Sequence, residues 1–210
     1  MIMNEAPLRI AVPSKGRLME RSIKLLEQSG LSFRLDGRRL FAQCRDTGAL
    51  VILCHAQDIP RLVEIGLADL GITGGDLVLE KEADVVEHLK LGFGRCRLAV
   101  AAHIDSGIDG PGDLDGKIIG TKFVRLTKRY AEDRGLNGVE AVEIQGAVEV
   151  MVPLGLVDAI VDIVETGATL REHDLRVIDT ILQSEALLIG AKSPRDPILR
   201  DRLIRRIDGI

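Results

Sequence analysis

Short apolar runs alternate along this chain with segments whose apolar positions recur at helical spacing, and this succession predicts an α/β architecture. Leu8–Val12 reads as a strand feeding the loop Pro13-Ser14-Lys15-Gly16-Arg17. Met19, Ser22, Ile23 and Leu26 then recur on one helical face that Gly30 ends. Arg39–Cys44 and Leu50–Cys54 read as a hairpin about Asp46-Thr47-Gly48. A short helix over Gln57–Gly66 tolerates Pro60 only in its first turn, and the strand Asp69–Thr73 runs into a loop at Gly74-Gly75-Asp76. Strands follow at Val85–Leu89 and Arg97–Ala102. Past a Gly- and Asp-rich loop at 105–117 a second series begins: strand Ile118–Thr121, helix Leu126–Arg134 ending at Gly135, and strand Glu140–Ile144. A helix Ala147–Leu154 around Pro153 and a strand Val157–Ile163 complete that series. Leu175–Leu182 and Ala186–Ala191 read as returning strands, and Arg195–Ile207 as a closing helix with Ile198, Leu199, Leu203, Ile204 and Ile207 on its apolar side.

Alternation on this scale argues for mostly parallel sheets covered by helices. The loop at 103–117 divides the chain into halves that each begin with a strand-loop-helix unit. The expectation is therefore two lobes with a ligand cleft between them, residues 1–95 plus 184–210 forming the first and 96–183 the second.

Composition narrows the chemistry. The 210 residues are 46% hydrophobic and 29% charged, enough to bury a core in one unit or in two. A net charge of −4 with one Tyr, four Phe and no Trp argues against a nucleic-acid surface, while local cations can still serve a small phosphorylated ligand. The longest apolar region, 147–164, is interrupted by Glu149, Pro153, Asp158 and Asp162, which argues against a membrane span. Met1–Pro7 lacks a basic n-region and a long apolar h-region, so the expected location is cytoplasmic. Cys44, Cys54 and Cys96 fit buried reduced thiols better than a disulfide framework or zinc site. His55, His88, His103 and His173 show no metal-ligand spacing, and no protein metal site is expected.

Three constellations carry candidate chemistry. Asp162-Ile163-Val164-Glu165-Thr166-Gly167-Ala168-Thr169-Leu170 joins an acidic strand end to a Thr-Gly-x-Thr turn that opens a helix. Such a turn can aim backbone N–H groups and two threonine hydroxyls at one phosphate, with the positive end of the helix dipole behind them. The carboxylates of Asp162 and Glu165 stand where vicinal ribose hydroxyls can donate to them. An ordinary capped turn, with Thr166 as N-cap, explains the same residues. Lys15 and Arg17 flank Gly16 just past a strand, a pattern suited to pyrophosphate or triphosphate, or to a solvated basic turn. Gly71-Ile72-Thr73-Gly74-Gly75-Asp76 is a second glycine-rich turn and carries little weight alone.

Together these segments resemble the ATP phosphoribosyltransferases, specifically their short form. The resemblance runs through Arg9–Leu18, Gln57–Pro60, Ala68–Gly74, the GFGRCRLAV run at 92–100, Leu126–Tyr130 and the DAIVDIVETGATL run at 158–170. It implies a fold similar to two-lobed periplasmic binding proteins, with substrates in the cleft. It also implies displacement of pyrophosphate from phosphoribosyl pyrophosphate (PRPP) by N1 of the ATP adenine, the first step of histidine biosynthesis. On that pattern Thr166, Gly167, Ala168 and Thr169 hold the 5-phosphate, while Asp162 and Glu165 orient the ribose. Lys15, Gly16 and Arg17 serve the pyrophosphate or ATP phosphates, with Gly74 lining the substrate site. Magnesium is expected mainly on the substrate phosphates. The resemblance further implies a homodimer and a hetero-oligomer with a regulatory subunit similar to histidyl-tRNA synthetase. Many relatives have arginine where His55 stands, and lysine where Gly75 stands. A non-catalytic bilobed binding module and another PRPP-dependent transferase are the alternative readings.

Overall fold

The computed structural model describes residues 7–35 and 39–210. The segment Met1–Ala6, part of the N-terminus read above for a leader, lies outside the described residues. Strand β1 (Arg9–Pro13) leads through a loop to helix α1 (Met19–Gln28), and β2 (Phe41–Gln43) and β3 (Leu50–Cys54) form the hairpin. Helix α2 (Ile59–Glu64) carries Pro60 in its first turn, where its missing N–H costs nothing. Then come β4 (Leu70–Gly74), α3 (Gly75–Lys81) and β5 (Val86–Lys90). The chain continues through β6 (Cys96–His103), β7 (Ile118–Thr121), α4 (Val124–Asp133), β8 (Glu140–Glu143), β9 (Ala159–Val164), α5 (Ala168–Glu172) and β10 (Leu175–Ser184). It ends with β11 (Ala186–Gly190) and α6 (Pro197–Asp208), the latter capped by the Asp196 carboxylate, which accepts the Leu199 amide at 2.8 Å. Two compact units result, one of residues 1–94 and 185–210, the other of 95–184.

The first unit is a six-stranded sheet in the order β2-β3-β1-β4-β11-β5. Alternation along its strands sends Ile10, Val12, Leu70, Ile72 and Leu188 to one face, against Leu26 of α1 and Leu203 and Ile207 of α6. Ala11, Leu187 and Ile189 face the other way, against Ile59, Val63 and Val78 of α2 and α3. Gly71 lets α2 settle on the sheet, because a Cβ there would lie 2.5 Å from Ile59 Cγ2 and 2.9 Å from Val63 Cγ2. The second unit is a five-stranded sheet, β10-β6-β9-β7-β8. Helix α4 is tied to β10 through Asp179, which accepts from the Tyr130 hydroxyl at 2.8 Å and lies 2.6 Å from the Arg134 guanidinium. Burial, with the Asp179 hydrogen bond and charge, raises the Tyr130 pKa, so the phenol stays a donor.

Several local expectations give way to tertiary context. Both sheets are mixed, not mostly parallel: β3-β1-β4 and β9-β7-β8 pair parallel, whereas β6, β10, β11, β5 and β2 enter antiparallel. The hairpin makes β2 antiparallel, and the other four flank the chain's passage out of the first unit (β5, β6) and back (β10, β11), which delivers strands without a crossover helix. The loop expected at Gly74-Gly75-Asp76 is absent because α3 starts directly at Gly75. The helix expected over 147–154 is only a 3₁₀ turn at Val148–Val150, since Pro153 removes a donor and disfavours helical backbone in the residue before it. Ile198 belongs to no apolar face and is 74% exposed.

Thiol and imidazole chemistry follow burial. Desolvation, with Asp46 and Asp58 nearby respectively, pushes Cys44 and Cys54 up to about 11, so both remain thiols at neutral pH. His88 on β5 packs over Gly190, where any Cβ would overlap its Nε2, and that nitrogen is buried with no hydrogen-bond partner among the described residues. Desolvation, then Arg200, lower its pKa, with Asp201 opposing. The unfolded chain thus takes up this proton first. The contribution to stability is fully present above about pH 6.5 and is lost as pH falls through the lowered folded value. Urea unfolding at pH 7.5 and 5.5 should show a smaller acid loss of stability in His88→Leu than in the parent. An equal loss in both proteins would mean that His88 does not drive it.

Candidate functional site

In the second unit, β9 delivers the acidic strand end to a cavity of about 370 Å³, lined by Glu149 and the continuous run Asp162–Leu170. Gly167 occupies the left-handed region at φ +74° and is itself the N-cap of α5. This removes the alternative of an ordinary turn capped by Thr166. The turn needs a positive φ just before the first helical residue, which glycine adopts without strain. The Thr166 hydroxyl instead accepts the Ala168 amide at 3.4 Å, a long contact, and the Thr166 carbonyl accepts from Arg171 Nη1 at 3.1 Å. Thr166, Ala168 and Thr169 are exposed. Among the described residues, the Gly167 and Thr169 amides have no acceptor within the chain. First-turn donors of this kind are the groups a bound anion satisfies.

Asp162 is half-buried on β9, opposite Ala99 of β6, and its Oδ1 lies 3.3 Å from the Lys122 ammonium just beyond β7. Glu165, by contrast, is exposed. The structure therefore brings Asp162, Glu165 and Thr166–Thr169 onto one cavity.

The first unit holds the remaining candidates. Strands β3, β1 and β4 are parallel neighbours, so the residues that follow them emerge at one edge of the sheet: His55 after β3, Lys15-Gly16-Arg17 after β1, and Gly75-Asp76 after β4. The Ser14 amide donates to the Cys54 carbonyl at 2.8 Å and fixes the first two exits side by side. Lys15 and His55 are exposed. Gly16 takes φ +77° with nothing within 4 Å of a hypothetical Cβ, so backbone conformation and not space calls for glycine. Arg17 is half-buried. Its Nη1 donates to the Gly94 carbonyl and its Nη2 lies 3.9 Å from Oδ1 of Asp76, whose side chain is 1% exposed. Gly74 leaves the space that the Asp76 carboxylate occupies, and the Gly75 amide donates to the Glu185 carbonyl at 3.0 Å.

Sequence reasoning missed Lys122, Arg171 and Glu149. Lys122 had a usable signal, since it directly follows a predicted strand, as Lys15 does. Arg171 stands one turn beyond Gly167, the spacing at which a helical side chain reaches back. Glu149 had none, because only the fold carries residues 148–150 to the cavity.

Comparisons with known proteins agree along most of the chain. The family model described as ATP phosphoribosyltransferase matches residues 55–209. An ATP phosphoribosyltransferase of Methanopyrus kandleri is 43% identical over 97% of this chain and 72% of its own length. One from Rhodopirellula baltica is 41% identical over 97% of this chain and 68% of its own. Among solved structures, a chain of the ATP phosphoribosyl transferase (HisG:HisZ) complex from Thermotoga maritima superposes with a TM-score of 0.79 at 28% identity, covering 97% of this chain and all of that one. The substrate binding protein of an amino acid ABC transporter gives a TM-score of 0.65 at 16% identity, over 97% of this chain and 92% of that one, a likeness of fold alone. No helix among the described residues is long and apolar enough to cross a membrane.

Gly167→Ala should lower stability by about 1–2 kcal/mol, because alanine at φ +74° is strained and its Cβ would come 3.2 Å from Arg171 Nη1. Chemical denaturation of the two proteins measures this, and an unchanged midpoint would show that the turn relaxes freely.

Proposed function

The chain belongs to the ATP phosphoribosyltransferase family, and from that premise we propose how its own residues carry the reaction. The enzyme transfers the phosphoribosyl group of PRPP to N1 of ATP, releasing pyrophosphate and forming phosphoribosyl-ATP, the first step of histidine biosynthesis. The observation that carries the assignment of roles is the cavity in which the Thr166–Thr169 turn faces the same space as Asp162 and Glu165. The turn holds the 5-phosphate through the Gly167 and Thr169 amides and the threonine hydroxyls. Asp162 and Glu165 accept hydrogen bonds from the ribose hydroxyls, and their charge favours the oxocarbenium character that develops at C1 as pyrophosphate departs. Lys15, with the Gly16 backbone, serves the pyrophosphate or ATP phosphates. Arg17, tethered to Asp76 and the Gly94 carbonyl, contributes a charge of fixed position, and Gly74 lines that part of the site. Catalysis here is positioning and charge neutralisation, without a covalent intermediate on the protein.

Magnesium would ride mainly on the substrate phosphates, where it would neutralise the departing pyrophosphate. We propose that the chain acts in the cytoplasm, as a homodimer within a hetero-oligomer that includes a histidyl-tRNA-synthetase-like regulatory subunit. The Thermotoga maritima HisG:HisZ complex supports the hetero-oligomer.

Mixing the purified chain with ATP, PRPP and magnesium, with and without the regulatory subunit, should change the ultraviolet absorbance of the adenine as phosphoribosyl-ATP forms. Absence of product under both conditions would sink the assignment. Thr169→Ala should weaken PRPP binding about tenfold to a hundredfold, the share of one hydroxyl donor to a charged group, while leaving the thermal melt in place. Unchanged PRPP affinity would make the hydroxyl a bystander.

A further inference from the structure

Lys122 belongs to none of the motifs that mark the site, yet the fold holds it against the carboxylate assigned to the ribose. Strands β7 and β9 run parallel with Thr121 opposite Val161, so the next residues of each, Lys122 and Asp162, come side by side. The exit of β7 is fixed: the Thr121 hydroxyl donates to the Val161 carbonyl at 2.7 Å and accepts the Phe123 amide at 2.8 Å. Phe123 is fully buried, and the Lys122 ammonium stands 5.2 Å from the centre of its ring. The ammonium is thus held between an immobile aromatic ring and Asp162 Oδ1, 3.3 Å away. That oxygen is closed to solvent and makes no hydrogen bond among the described residues, so the Asp162 side chain owes its 27% exposure to its other atoms. A carboxylate oxygen buried without a donor is costly unless a charge compensates it, and Lys122 is the cation beside it. Glu149 and Glu165 line the same cavity and add negative charge, which makes the cation matter more.

We propose that Lys122 is a positioning residue for PRPP. Its ammonium fixes Asp162 in the orientation that receives the ribose hydroxyls, so the site is set before the sugar arrives. The proposal rests on the reading of Asp162–Thr169 as the PRPP site. It differs from an ordinary surface ion pair because one partner's oxygen is sealed, and from a direct phosphate ligand because the lysine acts through Asp162.

The test is a double-mutant cycle on Lys122→Met and Asp162→Asn in the full chain, read by calorimetric PRPP binding and by steady-state kinetics with the regulatory subunit present. Lys122→Met should raise the PRPP Kd and KM about tenfold, lower the thermal melt without unfolding the protein at the assay temperature, leave the KM for ATP unchanged, and be largely restored in Lys122→Arg. In the Asp162→Asn background the same substitution should change PRPP affinity less than about twofold. Unchanged PRPP affinity in Lys122→Met would overturn the proposal, and so would an equal loss in both backgrounds, which would put the lysine directly on the substrate. Should Lys122→Met unfold at the assay temperature, Lys122→Gln takes its place in the cycle under the same two criteria. Failure of the parent protein to turn over ATP and PRPP would remove the reaction assignment itself. A cycle that fails in an active enzyme removes only the role of Lys122.

Discussion

The antiparallel seating of β11 between β4 and β5 is the pairing on which the first unit, and with it the whole chain path, depends. Every residue of β11 is buried, and its ladder runs from Ala186 opposite Gly74 to Gly190 opposite Leu70. The second unit lies in sequence between the two halves of the first, so this ladder closes a sheet whose strands come from distant parts of the chain. Asp69 completes the closure. Its 1%-exposed carboxylate accepts from the Arg9 amide at 2.7 Å, the Arg195 amide at 2.8 Å and the Arg195 guanidinium at 3.1 Å. One buried charge thereby joins the starts of β1 and β4 to the chain leaving β11. The three donors make that burial tolerable, and losing the guanidinium would strand the charge.

Each unit then uses the same geometric rule. Parallel neighbours end at one sheet edge, and the residues just beyond them become neighbours whatever their separation in sequence. In the first unit the rule places Lys15, His55 and Asp76 on a common edge, with Arg17 tied down by Asp76 and the Gly94 carbonyl. In the second it sets Lys122 beside Asp162. For a glycosyl transfer whose barrier falls through positioning and charge, such edges are well suited. They hold ionic groups on rigid strands and leave only short turns to meet the phosphates.

The lining of the candidate site was legible because it lies in one continuous stretch. The acidic strand end, the positive-φ glycine and the hydroxyls at 166 and 169 are consecutive, and the structure lines a single cavity with them. The alternative of Thr166 as N-cap fails for a local reason: Thr166 is a good capping residue, but the backbone turns left-handed one residue later. The failed helix at 147–154 and the exposed Ile198 have different causes. Val148 and Val152 are buried in the core of the second unit, but Pro153 breaks the regular backbone there, whereas Ile198 lies off the buried stripe of α6.

By itself the sequence determined the strands and most helices, the turn at Thr166–Thr169 and the family, because periodicity, φ preference and contiguous motifs are properties of near neighbours along the chain. Only the tertiary structure decided that the sheets are mixed, that β11 wedges between β4 and β5, and that Lys122, Arg171 and Glu149 belong with Asp162–Thr169. Strand direction and register are set by which segments meet across long loops. No local pattern encodes that choice, since the same alternation fits a parallel and an antiparallel neighbour equally well.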